Sequence, residues 1–184
     1  MEPLHLYTRS GDDGYTNLLG KERVAKYAPQ PEAYGTVDEA NAAIGVARAS
    51  AHGSHTQELL LIAQRDLYKL MTELAATIET AERFRSIGEE RVRWLEEQTD
   101  ELMSAVQYPR EFIVPGDTLS GAYLDLARTF VRRAERLVVH LLHDGLIDNP
   151  HLVRYLNRLS SLLFALELYE NSVMGSGKVT LAKE

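Results

Sequence analysis

The chain has 184 residues, 45% of them hydrophobic and 26% charged, with no cysteine. That is one domain's length with enough apolar mass for a core, which excludes general disorder, disulfide scaffolds, cysteine-ligated metals and thiol nucleophiles. Twenty Lys and Arg against 27 Asp and Glu give a net charge of −7, the wrong sign for a general nucleic-acid binder.

No apolar run reaches the ~18 residues of a membrane span. The first residues lack the basic and then apolar pattern of a signal peptide. The expected class is a cytoplasmic single domain with neither membrane nor nucleic acid as partner.

Residues 1–31 differ from the rest. They hold Pro3, Gly11, Gly14, Gly20, Pro29 and Pro31 without a sustained period, which predicts a loop segment with a short extended piece at residues 4–8. From residue 32 the pattern turns helical. The first helix spans about residues 32–51, with Gly53 as its stop. The second begins at Ser54, where Ser54 and Gln57 match a capping box. It carries Leu60, Ala63, Leu67, Leu70, Met71, Leu74 and Ile78 at helical spacing. The third begins at Ser86, with Glu89 as its capping partner, and carries Val92, Leu95 and Leu102. A non-helical stretch at residues 108–116 contains Pro109 and Pro115.

The fourth helix covers about residues 117–143 and ends before Gly145, a cheap left-handed cap. Leu126, Phe130, Leu137 and Leu141 mark its expected apolar face. The fifth follows Asn149 and Pro150, an N-cap and first-turn pair. Its stripe is Leu152, Leu156, Leu159, Leu163 and Leu166, and it ends before Gly175. A short mobile tail is expected over residues 175–184. The sum is an all-α, five-helix bundle over residues 32–174, preceded by the loop segment 1–31.

Three segments are unusual for a plain bundle. In Tyr7-Thr-Arg-Ser-Gly-Asp-Asp-Gly-Tyr-Thr16, two glycines with Thr8, Ser10 and Thr16 can aim several N–H groups at one phosphate. An ordinary Gly/Asp turn is the competing explanation. On the fourth helix Arg128, Arg132 and Arg136 fan across about 80° of one face with Glu135 among them. A solvated, ion-paired surface competes there with an anion clamp. Phe112-Ile113-Val114 either plugs the bundle end or walls an apolar pocket. Asn157, mid-helix, requires partners if buried. Lys26 is a further phosphate contact or a solvated lysine. Asp38 and Asn41 are polar positions in a small apolar helix, and Asp38 can pair with an arginine. His140 and His143 lie at i, i+3 but lack a metal motif.

Together these segments resemble the PduO-type ATP:cob(I)alamin adenosyltransferases. The matching stretches are YTRSGDDGYTNLLG, VAKYAPQPEAYGTVDEANAAIG, FIVPG, LARTFVRRAERLVV and YLNRLSSLLFAL, in the family's order over residues 7–166. The resemblance implies a ferritin-like bundle that assembles as a homotrimer with active sites between subunits. It implies transfer of the 5′-deoxyadenosyl group of ATP to cobalt of cob(I)alamin, with triphosphate as the other product. It assigns ATP contacts to Thr8, Arg9, Ser10, Gly11, Thr16, Lys26, Arg132, Glu135, Arg136 and Asn157. Asp38 and Arg128 match a pair bridging subunits, and Phe112 matches an aromatic beneath the corrin ring. Mg²⁺ would ride mainly on ATP phosphates, with no protein metal ligand assigned. A cobalamin reductase and an adenosylcobalamin-dependent enzyme are implied as further partners.

Four positions depart from the family pattern: Asp13 where Lys is frequent, Ala40 for Leu, Asp117 for a second Gly after Pro-Gly, and Ser161 for Asp. Asp117 and Ser161 bear on corrinoid affinity and leave open a non-catalytic ATP- or corrinoid-binding paralogue.

Overall fold

The computed structural model describes residues 7–106, 110–173 and 179–183. Its elements in chain order are strands β1 (Tyr15–Asn17) and β2 (Arg23–Ala25) and helices α1 (Pro29–Ser50), α2 (Ser54–Leu74), α3 (Glu89–Ala105), α4 (Leu119–His143) and α5 (Pro150–Val173). A single 3₁₀ turn, Ala81–Phe84, lies between α2 and α3. Helix α1 packs on α2 and α4, and α5 packs on α4 and α3. Five helices stand as expected.

The loop segment contains a hairpin that periodicity did not announce. β1 and β2 pair antiparallel, with Thr16 opposite Val24. Three residues a side are too few to show alternation, and the hairpin's support comes from elsewhere. Its tip is pinned to the end of α2: Leu19 N–H donates to Ala75 O at 2.7 Å, and Leu18 is buried. A Cβ on Gly20 would lie 2.6 Å from Thr77 Cγ2, so glycine is required by this approach. Of the extended piece expected at residues 4–8, only Tyr7 and Thr8 are described, and neither is in a strand.

Helix boundaries shift for identifiable reasons. α1 starts at Pro29 rather than residue 32, because proline suits the first turn, where its missing N–H has no acceptor anyway. Gln30 then caps α2 from outside, donating to Leu74 O at 3.1 Å and Ala76 O at 2.9 Å. The Ser54/Gln57 box does not form. Gly53 is the N-cap of α2, Gln57 turns back to Ala51 O, and the N–H groups of His52 and Gly53 donate to Glu170. Nor does Ser86 cap α3, whose N-cap is Gly88. Ile78 falls beyond the end of α2 and is exposed. The α5 start is as expected: Asn149 Oδ1 accepts His151 N–H at 3.0 Å. Its Nδ2 donates to Glu73 Oε1 and Ile87 O, joining three parts of the chain. Gly145 takes φ +69° after α4.

The buried stripe of α4 is Leu124, Ala127, Val131, Ala134, Val138 and Leu141. This corrects the expected face: of the four residues named for it, only Leu141 is buried, and Leu126 is exposed. Alanines at 127 and 134 let α4 approach two neighbours at once, so the small side, not the large one, faces inward.

A charged cluster around Asp66 lies inside the bundle. Asp66, only 3% exposed, accepts from Arg91 Nε at 2.8 Å and Nη2 at 2.5 Å and from the Tyr155 hydroxyl at 3.1 Å. Burial, with the Asp66 charge beside it, pushes the Tyr155 phenol well above its ordinary value. Removing the carboxylate leaves a guanidinium and a hydroxyl without their acceptor, which is the costly way to break a buried pair. Asp66→Ala is expected to lower unfolding free energy by about 3 kcal/mol in urea titration, with Lys69→Ala, at the exposed edge of the cluster, changing it by less than about 1 kcal/mol.

Candidate functional site

The glycine-rich segment folds as two successive turns. Asp12 N–H donates to Arg9 O and Gly14 N–H to Gly11 O, and Lys26 N–H closes the loop on Gly14 O at 2.9 Å. Arg9 has φ +62° and Gly14 φ +84°. For Arg9 that is a left-handed conformation that L-residues adopt at a cost. Thr8 and Ser10 hydroxyls meet at 2.8 Å. Arg23 fixes the loop from the second strand, donating to Ser10 O and Asp13 Oδ1, each at 2.8 Å. Asp13 is thereby occupied as an internal brace. Lys26 lies against the Gly11 backbone, where an added Cβ would come within 2.9 Å of its Nζ.

Among the described residues, the Arg9 and Gly11 N–H groups enter no backbone hydrogen bond. They border a cavity of about 470 Å³ together with Thr8, Ser10, Thr16 and Lys26. Arg23 and Asp12 also line it; unused N–H groups, hydroxyls and the three cations Arg9, Arg23 and Lys26 around one hollow suit an oxyanion.

A second cavity of about 550 Å³ opens between α3, α4, α5 and the loop before α4. Phe112, Ile113, Pro115, Met103 and Phe164 give it apolar walls, and Arg128 and Arg132 stand on its α4 side. Phe112 is 88% exposed, an aromatic ring left in water beside an apolar hollow. Ser161 lines this cavity, whereas Asp117 does not. Asp117 instead accepts from Thr180, N–H to Oδ2 at 2.9 Å and Oγ1 to Oδ1 at 2.7 Å.

The expected mobile tail is therefore held in its described part. Val114 N–H donates to Thr180 O at 2.8 Å and Ala182 N–H to Phe112 O at 2.7 Å, around an antiparallel bridge of Ile113 with Leu181. Residues 175–178 and 184 of that tail, and Tyr108 and Pro109 of the preceding loop, lie outside the described residues.

Beyond the cavity wall, Glu135 and Asn157 join α4 to α5, Asn157 Nδ2 donating to Glu135 Oε1 at 2.8 Å. Arg158 extends the line, donating to Asn157 Oδ1 at 2.6 Å and to Glu96 at 2.8 Å. Arg158 escaped sequence reasoning; its position next to Asn157 was the available signal. Arg136 is exposed and donates to the Arg132 carbonyl, leaving most of its guanidinium to solvent. Arg133 pairs with Glu39 on α1.

The structure thus groups Arg128 and Arg132 in one hollow and Thr8, Arg9, Ser10, Gly11, Thr16 and Lys26 in another. The two share no lining residue within one chain. Arg128 is paired along its own helix with Asp125 at 2.6 Å. Asp38 is exposed on α1 and forms no ion pair among the described residues. No cluster of three or more His, Asp or Glu fit to hold a metal occurs among them, and no described helix is long and apolar enough to cross a membrane.

Behind the second cavity, Glu167 is fully buried and neither carboxylate oxygen has a hydrogen-bond partner among the described residues. Burial pushes its carboxyl up to about 8; the negative charges of Asp125 and Asp117 add to this and Arg128 opposes it. Glu167 is therefore largely protonated at neutral pH, which spares the bundle an unpaired buried charge.

Comparison with known proteins adds the following. The sequence profile of the family described as Cobalamin adenosyltransferase matches residues 6–170. The corrinoid adenosyltransferase of Bacillus subtilis is 39% identical over 181 residues, covering 96% of this chain and 91% of that protein. Corrinoid adenosyltransferase PduO of Salmonella typhimurium is 39% identical over 168 residues, 91% of this chain. This chain spans about half the length of that relative and of the PduO protein from Citrobacter freundii. A variant of a PduO-type ATP:corrinoid adenosyltransferase from Lactobacillus reuteri, solved with cobalamin and ATP, superposes with a TM-score of 0.88 at 34% identity, covering 98% of this chain and 97% of that one. A second variant of that enzyme, solved with ATP, gives 0.86 at 33% identity, covering 97% and 100%.

The Glu167 environment carries a pH consequence. With the folded value near 8 and the ordinary value at 4.5, the native state holds a proton that the unfolded chain has lost. The associated stability is present in full below pH 4.5 and is lost as pH rises through 8, at up to about 1.4 kcal/mol per pH unit. Glu167→Gln is expected to flatten the decline of stability between pH 5 and 8, measured by urea titrations across that range; an unchanged slope would contradict this account.

Proposed function

The chain belongs to the cobalamin adenosyltransferase family, and we propose on that footing that it transfers the 5′-deoxyadenosyl group of ATP to the cobalt of a reduced corrinoid and releases triphosphate. The observation that carries this reading is the pair of guanidiniums, Arg128 and Arg132, on a cavity whose other wall is the apolar group Phe112, Ile113, Pro115, Met103 and Phe164. An apolar wall of that kind suits the broad face of a corrin ring, and the cations beside it suit the phosphates of its co-substrate.

Reduced cobalt is itself a strong nucleophile, so the chain has no need of a nucleophilic side chain or a general base. Its tasks are to hold C5′ of ATP in line with the metal and to stabilise the charge that builds on the departing triphosphate. Thr8, Ser10, Thr16, Lys26, the Arg9 side chain and the Gly11 amide serve the phosphates from the loop. Arg132, Glu135, Arg136 and Asn157 serve the nucleotide from the bundle. Arg132 is the member of that set that lines the second cavity, beside its apolar wall. Phe112 fills the space below the ring and keeps a lower ligand from cobalt, favouring the four-coordinate form that is easier to reduce. The described residues form no closed cage of carboxylates. Mg²⁺ fits instead as an ion carried on the triphosphate, as this cation commonly is, where it would neutralise part of the leaving group's charge.

The loop and the arginines act on one nucleotide when a second copy supplies one of the two hollows, in a homotrimer. Their separate linings within one chain support this, as do Asp38, exposed without an ion partner, and the exposed Val46, Leu119 and Leu126 on α1 and α4. In that assembly Asp38 meets Arg128 of the partner subunit.

Arg132→Ala is expected to abolish ATP-dependent Co–C bond formation, followed by the visible spectrum under anaerobic reduction, while the helical far-UV circular dichroism stays at the parent level. Full turnover by the variant would remove Arg132 from the site. Sedimentation velocity is expected to show one species three chains in size, and a monomer at working concentration would contradict the shared site.

A further inference from the structure

The loop that carries Phe112 has a structural problem. Its aromatic ring is exposed at the rim of the second cavity, beside that cavity's apolar wall, and an exposed ring gains by leaving water. Left to itself the loop would collapse into the space that a ligand must enter. The chain's last described residues oppose this. Thr180 O and Ala182 N–H take up the backbone on either side of Ile113, so residues 112–114 are held as one strand of a two-stranded pair.

A bridge of so few residues holds only where something fastens it. Here the fastening is Asp117. Both its oxygens accept from one residue, the N–H and the hydroxyl of Thr180, and hydrogen bonds to an ionised carboxylate are stronger than neutral ones. Asp117 lies directly after Gly116, whose φ of +127° turns the chain, and directly before Thr118, whose hydroxyl caps α4 by accepting Gly121 N–H at 2.9 Å. The anchor is thus fixed to the helix that bears Arg128 and Arg132. We propose that residues 180–182 are a strap that holds the Phe112 loop open over the apolar cavity, and that Asp117 is the positioning residue that latches it.

This inference rests on the corrinoid reading of that cavity, and it gives the departure at Asp117 a purpose. A carboxylate at this position serves the strap and not the ligand, since Asp117 does not line the cavity. A glycine there offers nothing for Thr180 to donate to.

The test compares the parent chain, Asp117→Gly, a chain ending at residue 178, the combination of the two, Thr180→Val and Thr180→Ser. The first readout is amide hydrogen exchange over residues 110–118 without ligand. The second is the fraction of cob(II)alamin in the four-coordinate form with saturating ATP, with KM for corrinoid and for ATP. Asp117→Gly and the shortened chain are each expected to speed exchange in the loop, lower the four-coordinate fraction and raise the corrinoid KM about tenfold, leaving the ATP KM at the parent value. The combination is expected to be no worse than the shortened chain alone, because the two changes remove one interaction. Thr180→Val should weaken the latch, and Thr180→Ser, which keeps the hydroxyl, should restore it.

Full additivity of the two changes would overturn the proposal, since Asp117 would then act on the cavity directly. So would parent-level exchange and KM in the shortened chain. If the parent chain neither binds corrinoid nor adenosylates it, the functional reading fails. Hydrogen exchange still decides whether the strap and its latch exist.

Discussion

The fit of α4 between α1 and α5 is the constraint from which the site follows. Ala127 and Ala134, fully buried, let α4 approach both neighbours. Once that narrow stripe is turned inward, the 100° step of the helix decides the rest. Arg128 and Arg132 come to the cavity, Glu135 to Asn157 on α5, and Arg133 to Glu39 on α1. A bulkier stripe would separate the helices and rotate the guanidiniums away from the apolar wall. Packing and chemistry are thus two faces of one helix, and the small residues are as consequential as the charged ones.

Electrostatics are arranged by region and not by total. The chain is acidic overall, yet cations mark both hollows. Most of the acidic groups near them are occupied: Asp13 by Arg23, Asp125 by Arg128, Asp117 by Thr180. Glu167, buried without a partner, is pushed toward its neutral form by burial. Negative charge near the expected path of an anionic leaving group is in this way partly paired and partly suppressed, while Asp12 and Glu111 keep carboxylates on the two linings.

The helices were legible in sequence because their apolar spacing is a property of one segment at a time. What escaped belongs to pairs distant in the chain. The hairpin depends on Ala75 and Thr77 beyond the end of α2. The chain entering α2 is held by Glu170, far away on α5, which accepts the N–H groups of His52 and Gly53, so a distant residue and not the local Ser54/Gln57 pattern sets where the helix starts. The inward face of α4 was misjudged because both of its sides carry apolar residues, and size, not hydrophobicity, decides which side two neighbouring helices accept. In the site, the loop residues and the arginines stand out by type and spacing. The grip of Thr180 on Asp117 has no such signature, since a single Asp and a single Thr 63 positions apart make no pattern.

The order in which α1 finds its neighbours has a consequence for biosynthesis. α1 can form a helical pair with α2 as soon as both leave the ribosome, but α4, against which α1 also packs, emerges only after α3 and the loop that follows. The end of α4 lies 69 residues beyond the end of α2, so at about 5–20 residues per second that delay is roughly 3 to 14 seconds. Throughout it, the part of the buried α1 surface that packs on α4 has no cover. Translation past α4 therefore covers that flank, while the faces of α3 and α4 that meet α5 stay bare until the fifth helix follows.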